Sequence, residues 1–383
     1  MIRKFPRRFR DASQQYSQSV KQSAFGRWER VIVAVVLAAS VALVADAVMR
    51  AVRACRIGAN PCLVNAKHLV LWSPSQLSAN DLELQTLQAA AERSAGGHAD
   101  ARLLETFAVR NPRLVQELQQ VRATPSSRKR AMLLAELMHR GHGGYACGTE
   151  NSIAEKLSAM QRSQRCCSDY TQVFVALANL VNVASTEVMY SRHQVVSIID
   201  DATGLPLFFD PSFGLWARDE QGSLVSAARF REMALRGNVA ELTSSLATLP
   251  RRGRWIQEGI EQWYQAPSDF ASFSLIDARK VSEVDELESR LSFLPKTAAQ
   301  VIGVLSGVRE SRMVVFDAAY GNRAWEELAA RRSVAIGMVE FATSLVLLVG
   351  ILTWSRHLER RSVANTYPIG DVAVAHTDRE ARS

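Results

Sequence analysis

The sequence predicts an α+β domain carried between two membrane-spanning helices. Two apolar segments, Val31 to about Met49 and Val334 to about Trp354, each run for roughly 20 residues, the length a helix needs to cross a bilayer. Between them, an amphipathic helix opens at Cys167 with a thiol in its first turn. Two strand-like runs follow, the first led by His193 and the second closed by Asp210. A thiol, an imidazole and a carboxylate arrive in that order on helix, strand and strand, the layout of a thiol acyl-transfer site.

With 383 residues and 48% hydrophobic content, the chain is long and apolar enough to bury a sizeable core. Its net charge of +8 is not a nucleic-acid signal. Residues 1–30 hold eight Lys and Arg against two acids, and residues 355–383 hold five against four, so the tails carry seven of the eight charges. Basic flanks stay in the cytoplasm. The expected organisation is a cytoplasmic tail (1–30), a transmembrane helix (31–50), a helical extracytoplasmic region (51–124), a catalytic-type core (125–216), a second helical region (217–333), a second transmembrane helix (334–354) and a cytoplasmic tail (355–383). That places a two-pass protein in the inner membrane, with both termini cytoplasmic and the central domain periplasmic.

Outside the cytoplasm, cysteine pairs oxidise. Cys55 and Cys62 bracket a short Gly/Pro loop and form one candidate disulfide. Cys147 and Cys166 form a second candidate, which leaves Cys167 as the odd thiol beside a His/Asp set. His139 and His142 lie near Cys147, but no fourth ligand is spaced to complete a metal site, so no metal and no cofactor is expected.

Taken in order, residues 81–93 read as a helix through Leu82, Leu84 and Leu87, and a second short helix runs through Leu103, Leu104 and Phe107. Asn111-Pro112 is a cap followed by proline at the first helical position. Residues after Thr124-Pro125-Ser126-Ser127 form a helix to about His139, and another spans roughly Ser152 to Gln161. From Cys167 to about Leu180, Tyr170, Val173, Phe174, Leu177 and Leu180 fall at helical spacing and mark a core face. At its first turn, unpaired N–H groups and the helix dipole favour a thiolate. His193 to Ile199 is a strand, Asp200-Asp201-Ala202-Thr203-Gly204 supplies turn chemistry, and Leu205 to Phe209 returns. A hairpin centred near Ala202 or Thr203 brings Asp210 back beside His193. Beyond Trp216 the pattern is helical again: 226–235, 239–246, 253–264, 281–291, 295–308 and 318–330, the last running towards the second span.

Cys167-Ser168-Asp169-Tyr170-Thr171, then His193 at the head of a strand, then Asp210-Pro211-Ser212-Phe213-Gly214, resemble the transglutaminase-like superfamily, in its membrane-anchored bacterial form. The resemblance covers about residues 125–216. It implies a papain-like α+β fold, with the cysteine on a helix packed against an antiparallel sheet, and a Cys167–His193–Asp210 triad. The chain departs from the family pattern at Arg165, where glycine is usual, and at Asn182 to Thr186, which stand for Gly-Ile-Pro-Ala-Arg. Gln161 and Gln164 are candidates for oxyanion support.

Two function classes fit these residues. One is a thiol enzyme acting on a protein or peptide substrate through a thioester, either a protease/amidase or a transamidase. The alternative is a non-catalytic interaction module of an envelope or polysaccharide assembly system. Within the spans, Asp46 and Glu340 are expected at similar depth, where carboxylates find a partner or water, most simply by snorkelling towards the outer interface. The sharper expectation is a basic residue of another membrane protein.

Overall fold

The computed structural model describes residues 31–50, 52, 73–95, 101–140, 150, 152–162, 166–191, 193–238, 241–246, 253–270, 272–278, 281–294, 299, 302–303, 306–314 and 323–366. The chain divides into two compact units, Met1–Ala51 with Ile336–Ser383, and Val52–Ala335.

The first unit contains α1 (Val31–Arg50) and the span Val339–His357 of the last helix, both long and apolar enough to cross a membrane. Their apolar side chains are largely exposed, Val41 and Val346 among them, as residues that meet lipid rather than a protein core are. The two helices meet through small residues: a Cβ on Gly337 would lie 3.2 Å from the Ala47 backbone, and the Ser344 hydroxyl donates to the Ser40 carbonyl at 3.3 Å. Close backbone approach of this kind is how helices associate where there is no hydrophobic drive between them. Asp46 and Glu340 share one cation of the same chain, Arg50, at 2.8 and 3.4 Å.

The second unit is α+β. Its helices in the described residues are α2 (Ala79–Ala95), α3 (Ala101–Arg110), α4 (Pro112–Arg122), α5 (Ser127–Met138), α6 (Ile153–Met160), α7 (Cys167–Leu180), α8 (Ala227–Leu235), α9 (Gly253–Trp263) and α10 (Val281–Arg290); α11 (Arg323–Thr366) begins in it and continues through the second apolar span. The strands are β1 (Ser73–Ser75), β2 (Ser185–Met189), β3 (Gln194–Ile199), β4 (Pro206–Asp210), β5 (Leu215–Arg218), β6 (Glu241–Ser244), β7 (Ser274–Ala278) and β8 (Arg309–Val314). They form one eight-stranded sheet in the order β1-β8-β7-β2-β3-β4-β5-β6, antiparallel throughout except for the β1–β8 pair.

Helix boundaries follow local chemistry. The Asn111 side chain accepts from the Leu114 N–H ahead of Pro112, and Ser152 with Glu155 forms a capping box at α6. β2 and β3 lie at the centre of the sheet and are buried on both faces. Side chains alternate along a strand, so Ser197 and its neighbour Val196 point opposite ways. Ser197 bonds to Glu83 of α2, whereas Glu187, the cross-strand partner of Val196, lines a cavity with Gln172 of α7. Helices α2 and α7 therefore cover opposite faces of the same two strands. Glu83 is wholly buried and also accepts from the Ala227 and Ala228 N–H groups at 2.9 and 2.8 Å, so one carboxylate ties α2, β3 and the start of α8 together.

Beyond Trp216 the structure departs from the expected run of helices. Residues 241–244, read as part of a helix, form strand β6, which pairs with β5. Strands β7 and β8 complete the sheet without having been anticipated. Both are non-local pairings with little alternation in sequence, so their periodicity carried no signal. The expected helix over 295–308 falls mostly outside the described residues.

Candidate active site

Cys167 is the first residue of α7, and Cys166 is its N-cap. The Asp169 and Tyr170 N–H groups bond back to the Cys166 carbonyl at 2.9 and 3.2 Å, fixing the first turn. α7 is held by its apolar face, where Tyr170, Val173, Phe174, Leu177 and Leu180 are buried in the main core. Cys166 is in a disulfide, and Cys167 is a thiol and half-buried. Cys55, Cys62 and Cys147 lie outside the described residues, as does the 141–144 loop with His142.

His193 immediately precedes β3, and Asp210 ends β4. The pairing of Val196 with Phe209 and Ile199 with Pro206 centres the hairpin between Ala202 and Thr203. That register returns Asp210 to the imidazole, with His193 Nε2 and Asp210 Oδ2 2.9 Å apart. The far turn of the hairpin is fixed as well. Asp201 accepts from the Ser127 N–H and hydroxyl at 2.8 Å each, capping α5 from a distance, and Arg128 holds Asp200 through two nitrogens. Burial opposes the Asp200 charge, but these bonds, led by Arg128, hold its carboxyl below the usual range.

The His193 ring is almost wholly buried, and Asp210 is wholly so. With Nε2 on Asp210, Nδ1 is the nitrogen left for the thiol. Cys167 lies close enough to this ring to act on its proton affinity together with Asp210. Burial works against the imidazolium, but Asp210 and Cys167 outweigh it and raise its proton affinity from the ordinary 6.5 to about 10. The arrangement thus favours the charged imidazolium of His193 over its neutral form.

Two residues beyond the Asp210-Pro211 turn complete the carboxylate. The Ser212 N–H donates to Oδ1 at 2.7 Å, and the Tyr264 hydroxyl donates to Oδ2 at 2.6 Å. Tyr264 directly follows α9, and α9 lies along the site. Trp255, Gly259 and Trp263, spaced four apart, share one helix face. Trp255 packs on Phe213 at 4.7 Å, and Trp263 stacks on His193 at 5.5 Å. A Cβ on Gly259 would come within 2.3 Å of the Phe213 ring, so only glycine lets α9 approach so closely. Gly214, at φ +61°, closes the Asp210-Pro211-Ser212-Phe213 turn in the left-handed region that glycine tolerates. His139 is not a ligand set in waiting: its Nε2 meets the Pro211 carbonyl at 2.8 Å and its ring stacks on Tyr170 at 4.5 Å, bracing the turn against α7.

Compared with models of known families, with curated proteins and with solved structures, the chain matches none of them.

Of the residues singled out in the sequence, Cys167, His193 and Asp210 come together. Gln161 caps the C-terminus of α6, and no hydrogen bond among the described residues carries it to Cys167; Gln164 lies outside the described residues. Tyr264 and Trp263 were not anticipated as site residues. The signal available was weak: two adjacent aromatic residues closing an amphipathic helix, with nothing local to say which carboxylate they would meet. The described residues contain no cluster of His, Cys, Asp and Glu fit to hold a metal ion.

Proposed function

We propose that this chain is a membrane-anchored, transglutaminase-like thiol enzyme acting on amide or peptide bonds outside the cytoplasm. The single observation that carries the reading is the His193–Asp210 pair at 2.9 Å, wholly enclosed, with the helix-first-turn thiol of Cys167 acting on the same ring. A papain-like core is the fold this reading implies: a cysteine-bearing helix laid on an antiparallel sheet whose hairpin supplies the other two groups.

In the proposed reaction the Cys167 thiolate attacks an amide carbonyl carbon, and the N–H of Cys167, at the positive end of α7, stabilises the oxyanion. The C–N bond breaks as His193 passes its proton to the departing amine, leaving a thioester. His193 then takes a proton from water or from an acceptor amine, which attacks the thioester and restores the thiolate. Asp210 keeps the ring oriented and balances its charge. Water gives hydrolysis, an amine gives cross-linking. The two apolar helices, with the basic residues concentrated in the N-terminal tail, support a two-pass inner-membrane placement with both termini cytoplasmic and the catalytic unit periplasmic.

The test is alkylation of the detergent-solubilised full chain by iodoacetamide at neutral pH. Cys167 should react well over tenfold faster than an ordinary free cysteine, and His193→Ala should remove that excess. Cys167→Ala should abolish labelling while a cooperative thermal transition is retained. A Cys167 that reacts no faster than free cysteine would refute catalysis and leave a non-catalytic module.

A further inference from the structure

Asp210 Oδ2 carries two donors, and they pull in different directions. His193 Nε2 approaches at 2.9 Å and the Tyr264 hydroxyl at 2.6 Å, while Oδ1 is occupied by the Ser212 N–H at 2.7 Å. An enclosed carboxylate facing only an imidazolium would hold its proton strongly, because little solvent screens the pair. Such a proton is well placed to keep a thiolate ionised and badly placed to leave for an amine, since a general acid works best when its proton affinity lies near the working pH. A hydroxyl donating to the same oxygen offsets part of the negative charge that the imidazolium feels. Burial, then the adjacent Asp210 charge, push the Tyr264 phenol well above its usual range, so it stays a donor wherever the pair titrates.

We propose that Tyr264 is a positioning residue of this site, sharing the Asp210 oxygen that holds His193 and so tempering the grip on the imidazolium proton that must pass to the leaving amine. The proposal rests on the reading of Cys167, His193 and Asp210 as a catalytic set. It brings into that set a residue well outside residues 125–216, delivered by α9. The ring of Tyr264 stands edge-on to His193 at 5.3 Å and packs against Phe208, Phe230 and Phe270. Removing the hydroxyl alone therefore leaves the packing in place. Among the described residues, the charged and titratable groups that act on the His193–Asp210 pair are Cys167 from α7, Tyr264 after α9 and Tyr190 after β2. Tyr190, after β2, acts on Tyr264, and Glu83 of α2 and Arg231 of α8 act on Tyr190.

The experiment is the pH profile of Cys167 alkylation by iodoacetamide, measured on the solubilised full chain. The profile changes where the neighbouring imidazolium loses its proton. In Tyr264→Phe that inflection should move up by about half a pH unit, because the carboxylate charge is no longer shared. Site-specific 3-fluorotyrosine at position 264, a stronger donor of the same shape, should move it down. This second substitution keeps the test decisive if Tyr264→Phe folds poorly. A merely structural role predicts slower alkylation and a lower melting temperature with the inflection in place. An inflection unmoved by both substitutions overturns the role of Tyr264. A wild-type protein with no fast alkylation and no inflection overturns the catalytic reading itself, and the two failures are thereby told apart.

Discussion

His193 couples the chemistry of the site to the stability of the fold. Its proton affinity in the folded chain is raised from 6.5 to about 10, against the cost of burial, by Asp210 first and Cys167 second. A group whose folded value lies above its unfolded one contributes stability that is fully present below the unfolded value and is lost as the pH rises through the folded one. The window here runs from 6.5 to about 10. Thermal melts of the wild type should therefore fall in the upper part of that window, above about pH 8.5, where the unfolded chain has lost the Cys167 proton as well. Asp210→Asn, which removes the principal raising charge, should show a shallower fall over the same range, although it is less stable at its start. Parallel slopes for the two proteins would contradict the coupling.

Helix α9 shows how packing overrides propensity. Ala in place of a helical glycine ordinarily stabilises by about 1 kcal/mol. At Gly259 the added Cβ would sit 2.3 Å from the Phe213 ring. That ring is itself buried between Trp255 and His193, so it has little room to withdraw. Overpacking of this kind costs about 1–3 kcal/mol, which outweighs the propensity gain. Gly259→Ala should lower stability in chemical denaturation, and the displaced helix should slow Cys167 alkylation as Trp263 and Tyr264 leave the His193–Asp210 pair. A variant more stable than the wild type would show that α9 does not dock on Phe213.

In chain order, an α+β unit lies between two apolar helices. Arg50 meets both Asp46 and Glu340, so the ends of the two spans on that side lie at matching depth and carry one net negative charge between them. Charge in the flanking tails predicts which side that is: the basic N-terminal stretch stays inside, and the ends bearing Arg50 face out. A reporter active only in the cytoplasm should be active when fused after Ser383 and silent when placed within residues 101–122. Activity at the internal site would overturn both the topology and the oxidising compartment that the Cys166 disulfide requires.

How much of this was legible follows the range of the interactions. The spans are written in composition, because a bilayer selects length and apolarity directly. The hairpin is written in turn chemistry, and its register follows from the spacing of Ala202 and Thr203 between His193 and Asp210. The Cys167 helix is written in the 3.6-residue period of its core face. These are local determinants, and the sequence by itself determined them. Tertiary structure alone decided the remainder. Asp201 caps a helix that begins 74 residues earlier, Tyr264 reaches a carboxylate 54 residues away, and Gly259 is required by a ring 46 positions before it. β6, β7 and β8 become strands because the sheet offers their backbone groups partners, which their own residues do not announce. Each of these contacts depends on surfaces that exist only after the chain has folded, so no window of neighbouring residues contains them.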